Sequence, residues 1–440
     1  QTIAPQIIFG SMGAKGKLPV SIDDEFKVNE GIETLEIKRL GFSIPENVGM
    51  NSKVLTKIDS IANYAISKKM TPGIQVVVAR KGKVIYQKSF GNHTYESSQK
   101  VSNSDVYDIA SLTKIVATLP NVMQEFDQGH LTLETKLKTM LPEAKNSNKA
   151  NATVLDMLTH QARFQPWIPF YKATLDSLNR PSTHFYRSEF SDEFPVHVAD
   201  KLYLRKNYND TIVKTILDSE LLPKKQYKYS DFTFILFKEY LELHNKKSLE
   251  DLAHANFFEP LGANSIMYNP LRKMNANRII PTENDNYFRH QIVQGYVHDM
   301  AAAMQGGISG HAGLFANALD VAKVMQMFLQ KGSYGGRTYI SESTFNIFNT
   351  CYFCKDGNRR GVGFDKPQLG NEGPTCGCVS LTSFGHTGFT GTMTWADPEK
   401  EIVYVFLSNR TFPDSNATNK LSKENIRENI QKVIYEAIIE

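Results

Sequence analysis

Ser111 and Lys114 fall in the stretch Tyr107-Asp-Ile-Ala-Ser-Leu-Thr-Lys-Ile-Val-Ala-Thr118, which reads as an extended segment turning into a buried helix. Three residues apart on a helix, the two side chains project from one face and can hydrogen-bond. A serine hydroxyl is a poor nucleophile until a base takes its proton, and a desolvated lysine can be that base. The helix N-terminus adds a positive dipole end and free N–H groups, which favour a neutral lysine and an oxyanion nearby. A second Ser-x-x-Lys, Ser97-Ser-Gln-Lys100, lies in a polar stretch with no helical pattern. Chemistry at Ser111 therefore needs partners from elsewhere in the chain.

Two further groups follow in chain order. Tyr229-Ser-Asp231 sits just before a helical pattern, and His386-Thr387-Gly388, followed by Phe389, sits on a candidate strand. A tyrosine hydroxyl can act as partner base if a lysine's charge lowers its pKa, and it can then protonate a leaving group. A carboxylate at Asp231 beside Lys114 would hold the lysine charged and shift the base role toward Tyr229. His386 is mostly neutral near pH 7 and attracts an anion less than an ammonium would. Gly388 suits a strand edge that must approach substrate closely.

The elements that must position these residues can be read in outline. Val54, Leu55, Ile58, Ile61, Ala62, Ala65 and Ile66 recur at helical spacing, with Asn51 or Ser52 as the cap and Thr71-Pro-Gly73 as the break. Ile74–Arg80 and Val84–Lys88 read as a hairpin across Lys81-Gly-Lys83. The Ser111 helix runs to about Gln128 and ends at Gly129, with Pro120 marking a kink or break. Ile212–Leu222 and Phe232–Leu243 read as helices, and Pro166–Tyr186 as an aromatic loop. Ser383–Ala396 and Glu401–Ser408 are extended runs, and a last helix carries Ile426, Ile430, Val433, Ile434, Ala437 and Ile438 on one stripe. Strands at both ends with helices between imply one antiparallel sheet built from the two termini, with a helical subdomain inserted at about 120–300.

Composition bounds the function. The chain has 440 residues, 41% hydrophobic and 22% charged, enough for a sizeable core. Its net charge of +4 is spread among nearly equal acids and bases, which argues against a nucleic-acid partner. The longest apolar runs are strand-sized, so no transmembrane segment is expected. The sequence begins at Gln1 without a signal-peptide core, and reads as a processed or excised piece. Cys351, Cys354, Cys376 and Cys378 could ligate zinc, form disulfides or remain thiols.

The ordered set Ser111-Leu-Thr-Lys114, Tyr229-Ser-Asp231 and His386-Thr-Gly388 resembles serine beta-lactamases and penicillin-binding proteins, in the class C branch with D-alanyl-D-alanine peptidases and esterases. Thr153–His160, Phe258-Glu-Pro-Leu-Gly262 and Gly306–Phe315 also look like segments of that family, so the resemblance spans 47–440. It implies an α/β (α+β) fold, an antiparallel sheet flanked by helices with an inserted, mostly helical subdomain. It also implies a hydrolase without cofactor or metal, acting through an acyl-enzyme on an ester or amide of a small-molecule, peptide or glycan-derived substrate. Ser111 would be the nucleophile, Lys114 and Tyr229 the base system, and the N–H groups of Ser111 and Phe389 the oxyanion hole. Asp231 and His386 would organise charge, with Thr387 and Gly388 lining the substrate edge. The family usually has Asn at 231 and Lys at 386, and both departures tilt the expectation toward esterase or peptidase and away from efficient penicillin hydrolysis. His160 and His311 read as structural, and Trp167–Tyr171 as core or substrate wall. The family also implies a bacterial periplasm or envelope.

Residues 1–46 differ from the rest. Phe9-Gly-Ser-Met-Gly-Ala-Lys-Gly-Lys-Leu-Pro-Val20 resembles the closing segment of family-3 glycoside hydrolases, where Gly-Lys-Leu-Pro-Val is a strand. That implies a preceding glycoside hydrolase domain, of the beta-glucosidase or beta-N-acetylhexosaminidase kind, in a parent chain. On that alternative the fragment would be an accessory domain, or a cell-wall-binding module without turnover.

Overall fold

The computed structural model describes residues 3–370, 373–417 and 419–439. Its central sheet is assembled from both ends of the chain. Strands β1 (Gly41–Phe42), β2 (Gly73–Arg80) and β3 (Lys83–Gly91) precede the insertion; β4 (Phe384–Thr387), β5 (Met393–Asp397) and β6 (Ile402–Ser408) follow it. The order is β1-β3-β2-β6-β5-β4. The two halves meet where β2 pairs antiparallel with β6, Ile402 opposite Arg80 and Ser408 opposite Ile74. Lys81 and Gly82 both take left-handed φ, the type I′ geometry that matches the twist of a tight hairpin. One expectation changes: β1 runs parallel to β3, so the sheet is mixed at that edge.

Both faces of the sheet are covered, which is why every residue of β2 is buried. Six helices frame it and the insertion: α1 (Lys57–Ser67), α2 (Leu119–Asp127), α3 (Tyr208–Asp218), α4 (Phe232–Asn245), α5 (Ala318–Leu329) and α6 (Ile426–Glu436). Val76, Val78, Tyr404 and Phe406 pack against Ile58 and Ala62 of α1 and against Ile430 and Ile434 of α6. The alternate residues Val77, Ala79, Val403 and Val405 join the core that contains Val321 and Met325 of α5. This is strand alternation meeting helical periodicity on each side.

Local chemistry explains most element ends. Asn51 accepts hydrogen bonds from the N–H groups of Lys53 and Val54 at 3.0 and 3.2 Å, and the stripe after it divides at Thr56 into two helical pieces. α3 starts and stops four residues before the expected helix, turning extended at Ser219. Ser383–Ala396 is not one run: β4 and β5 form a hairpin closed by the Gly388 N–H on the Thr392 carbonyl, 2.8 Å.

The insertion also carries short strands, so it is less purely helical than expected. They are a three-stranded set within 186–204, the pair Glu283–Asp285 and Gln291–Val293, and Met267–Tyr268, which joins a small sheet with Leu314–Ala316 and Tyr107–Asp108 from its flanks. In the N-terminal segment, residues 16–20 form no strand; an isolated bridge joins Ala14 to Thr34, and Lys83 ties the segment down through the Ser11 carbonyl and Glu36. The cysteines pair as Cys351–Cys354 and Cys376–Cys378, which removes the zinc alternative. Among the described residues, no helix is long and apolar enough to cross a membrane.

Ile430 is fully buried between α6 and the sheet. Ile430→Ala is expected to lower the unfolding free energy by about 2–5 kcal/mol in urea denaturation. A change below about 1 kcal/mol would mean that this face is not the packed core described.

Candidate active site

The nucleophile candidate sits on a strained turn. After Tyr107–Asp108 pairs with Leu314–Ala316, the chain reverses at Ala110, which takes φ +47 without being glycine. Such a residue costs of order 1–3 kcal/mol and persists only when its surroundings fix it. Asp108 does so: one carboxylate oxygen accepts the Ala110 N–H at 2.8 Å and the other accepts the His298 N–H at 2.7 Å. Ser111 follows, then a π-helical turn over Lys114–Thr118 that leads into α2. The backbone stays helical from Leu112 through Pro120 into α2, so Pro120 lies inside the helix without breaking it, and the π-helical turn just before it is the local irregularity.

Four of the expected residues converge. The Lys114 ammonium is fully buried and donates to Ser111 Oγ at 2.9 Å, to the His311 carbonyl at 3.0 Å and to Asp231 Oδ1 at 2.8 Å. Tyr229 Oη donates to the same Ser111 Oγ at 3.1 Å. Burial alone would depress the lysine's proton affinity, but Asp231 and Tyr229 outweigh it and raise Lys114 above the usual lysine range. Burial also raises Tyr229, and the neighbouring cation only partly offsets this. Lys114 does lower Tyr229, as the base role would require, but desolvation outweighs it. The resting cluster is an ammonium, a carboxylate and a neutral phenol around one hydroxyl.

The third motif approaches from the sheet edge. A Cβ at Gly388 would meet Thr392 Oγ1 at 2.1 Å and the Ile109 carbonyl at 2.9 Å, so glycine is required by contact with the nucleophile turn, not only by substrate. Among the described residues, the N–H groups of Ser111 and Phe389 have no intramolecular acceptor. This leaves both available as oxyanion donors. His386 is buried, its Nδ1 against the Thr387 carbonyl at 2.7 Å and its Nε2 without a partner. Burial, with Arg360 and Lys114 nearby, lowers its pKa well below the usual histidine range, so the imidazole is neutral. Ser97 lies in a loop and Lys100 in an isolated bridge to Asn92, so neither is on a helix, as expected.

A cleft of about 890 Å³ opens over Ser111, with Tyr229, Thr387, Phe389, Trp167 and Tyr171 among its lining residues. Trp167 is exposed and Phe170 is core, so that aromatic cluster serves both roles. No cysteine lines the cleft. Sequence reasoning missed several neighbours. Arg360 is buried, holds Tyr227 Oη at 3.1 Å, and has its Nε and Nη1 unsatisfied at the cleft wall. Its Nε lies 3.5 Å from Asp365, which also pairs with Arg359. His311 pairs with Asp299 at 2.8 Å, and its carbonyl anchors Lys114. His160 packs its ring 4.7 Å from Tyr229 and accepts the Ser230 N–H, so it positions that motif. Asp231, Asp299 and His311 bring ligand atoms within 4.8 Å of one another, but the Lys114 ammonium bound to Asp231 opposes a cation there.

Comparison with known proteins fits this geometry. The family model described as "Beta-lactamase" matches residues 62–425. A protein of Escherichia coli K12 named "Putative D-alanyl-D-alanine carboxypeptidase" is 26% identical over 396 residues, covering 84% of this chain and 85% of its own. An "N-acetylmuramyl-L-alanine amidase" of Bacillus subtilis is 28% identical over 395 residues, covering 83% of each. Among solved structures, the hydrolase EstCE1, with promiscuous acyltransferase activity, superposes with a TM-score of 0.64 at 16% identity over 87% of this chain and 99% of its own. A penicillin-binding protein homologue from Caulobacter crescentus gives 0.61 at 15% over 88% and 99%. With the family match covering most of its length, and a serine, lysine and tyrosine gathered at one cleft, this chain belongs to the beta-lactamase family of serine hydrolases.

Proposed function

We propose that this chain hydrolyses an ester or amide through an acyl-enzyme on Ser111, and that its substrate carries an anionic group. The observation that carries the reading is Ser111 Oγ held between Lys114 Nζ and Tyr229 Oη at 2.9 and 3.1 Å. Both contacts are donors, so the serine's own proton is not yet claimed by a base. It moves when Lys114 passes a proton to Asp231, 2.8 Å away, and accepts the serine's in return. The new Ser111 oxygen–carbon bond puts negative charge on the substrate oxygen, beside the N–H groups of Ser111 and Phe389. Tyr229 protonates the leaving alcohol or amine and is recharged from Lys114. In the second half, neutral Lys114 takes a proton from water as the water attacks the acyl carbon. Tyr229 returns a proton to the departing Ser111 oxygen and is recharged from Lys114, and Asp231 then gives its proton back to Lys114.

The anionic preference rests on Arg360. A neutral His386 cannot attract a carboxylate as an ammonium would, yet Arg360 beside it is held charged by Asp365, 3.5 Å from its Nε, and keeps Nη1 without an acceptor. Buried unpaired donors cost about 1–3 kcal/mol each, which a bound carboxylate would recover. The names of the two curated relatives support a cell-wall peptide or muramyl amide as substrate. Two disulfides support an oxidising compartment such as a bacterial periplasm. For residues 1–46, only the likeness to a glycoside hydrolase terminus supports a preceding sugar-hydrolase domain.

Labelling with a fluorophosphonate or a penicillin, followed by peptide mass spectrometry, tests the nucleophile. An adduct on Ser111 that vanishes in Ser111→Ala is expected; an adduct elsewhere, or none, rejects the acyl-enzyme. Nitrocefin turnover should be slow, and fast turnover would contradict the substrate reading.

Asp231→Asn should move the acid limb of kcat/KM to lower pH. With the carboxylate gone, burial opposes only the raising effect of Tyr229, so the pKa of Lys114 falls and the base is free at lower pH. An unmoved limb would exclude Lys114 from the proton path. Arg360→Gln should raise KM about tenfold or more for a carboxylate-bearing substrate and leave a neutral ester unchanged; equal effects on both would remove Arg360 from recognition.

A further inference from the structure

α2 and α4 each begin at a catalytic motif, α2 after Ser111 and Lys114 and α4 after Tyr229 and Asp231. Their far ends also meet. Glu125 lies in the last turn of α2, and His244 in the last turn of α4. Gly129, with φ +75, turns the chain after α2 so that His130 folds back over its end, its N–H on the Glu125 carbonyl at 2.9 Å. Three ligand-type atoms come together there. Glu125 Oε2 is 2.8 Å from His130 Nδ1 and 3.3 Å from His244 Nε2, and the two nitrogens are 3.2 Å apart.

Hydrogen bonding alone does not satisfy this triangle. If both imidazoles donate to Oε2, their N–H groups confront each other. If one nitrogen is bare, it accepts from the other ring but turns a lone pair toward the carboxylate. With Glu125 an ionised carboxylate, each arrangement of protons on the two imidazoles leaves one of the three contacts repulsive. A cation removes the conflict, because all three atoms can then donate lone pairs. Zinc-like ions bind imidazole nitrogen and carboxylate oxygen at about 2.0–2.2 Å, so neighbouring ligand atoms stand about 3.0–3.4 Å apart, depending on coordination angle. The three separations lie in or just below that range.

The surroundings are those of a ligand set. Glu125 is 4% exposed, and Asn245 Nδ2 donates to its other oxygen, Oε1, at 2.9 Å, which fixes the carboxylate and directs Oε2 to the cluster. Tyr240 stacks on the His244 ring, and its hydroxyl lies 3.5 Å from Oε2. The two imidazoles are about 40% exposed at their outer sides, which gives an entry path and room for water ligands.

We propose that Glu125, His130 and His244 bind a divalent zinc-like cation, and that this ion clamps together the distal ends of the two helices that carry the catalytic motifs. α4 has 14 residues, so the ion would sit roughly 20 Å from Asp231 along the helix axis. It stabilises the frame and takes no part in bond breaking.

Tag-free, chelator-treated protein titrated with Co²⁺ and Zn²⁺ tests this. Wild type should bind one equivalent, develop visible Co²⁺ absorption, and melt roughly 3 °C higher at a hundredfold excess of Zn²⁺ over its Kd. His130→Gln and His244→Gln, both at exposed rings, should abolish the absorption and the shift. Metal-free variants should still label at Ser111. Absence of binding by wild type overturns the proposal. So does a signal that survives both substitutions, or one that is lost instead in Asp299→Asn, which would place the ion in the cleft.

Discussion

The buried contact between Lys114 and Asp231 sets the conditions for everything around it. An ammonium with no exposure to water is tolerable only if its charge is matched and its three protons are accepted, and here Ser111, the His311 carbonyl and Asp231 accept them. Each acceptor comes from a different part of the chain. The nucleophile turn, the segment before α5 and the entry to α4 are therefore held in mutual register by one side chain. Removing the carboxylate would leave a buried cation without its partner, so position 231 governs both structure and proton affinity.

The second constraint is close backbone approach. Gly310 shows it at the helix side: a Cβ there would lie 2.0 Å from the Phe234 carbonyl of α4. Gly388 shows it at the sheet side, against the turn that carries Ser111. Between these two contacts the strained Ala110 is held by Asp108, so the hydroxyl is fixed by packing on both flanks before any substrate arrives.

What the sequence made legible follows from locality. Ser111 and Lys114 are one helical turn apart, and Tyr229 and His386 stand in short motifs whose order is informative. The two-ended sheet was legible because β2 and β6 are apolar runs of strand length flanked by turn residues. Arg360, Asp108 and His160 were not legible as site residues, because each acts through a partner 70 or more residues away, and no spacing marks Asp299 as the partner of His311 either. His311 drew notice but not a role, since its contribution to Lys114 is made by a carbonyl that every residue has. The direction of the Tyr229 shift was also hidden: it depends on how deeply the phenol is buried, a tertiary quantity.

The pairing of β2 with β6 has a consequence for how the protein is made. Ser111 is synthesised early, but Gly388 and Phe389 join it only after about 275 further residues, roughly 15–55 s later at ordinary translation rates. Until then β2 has one open edge, and the nucleophile turn lacks the strand that packs against it. A nascent chain therefore carries its serine and lysine over that interval without a working site, and its exposed β2 edge must be kept from other chains until the hairpin of β4 and β5 and the strand β6 arrive.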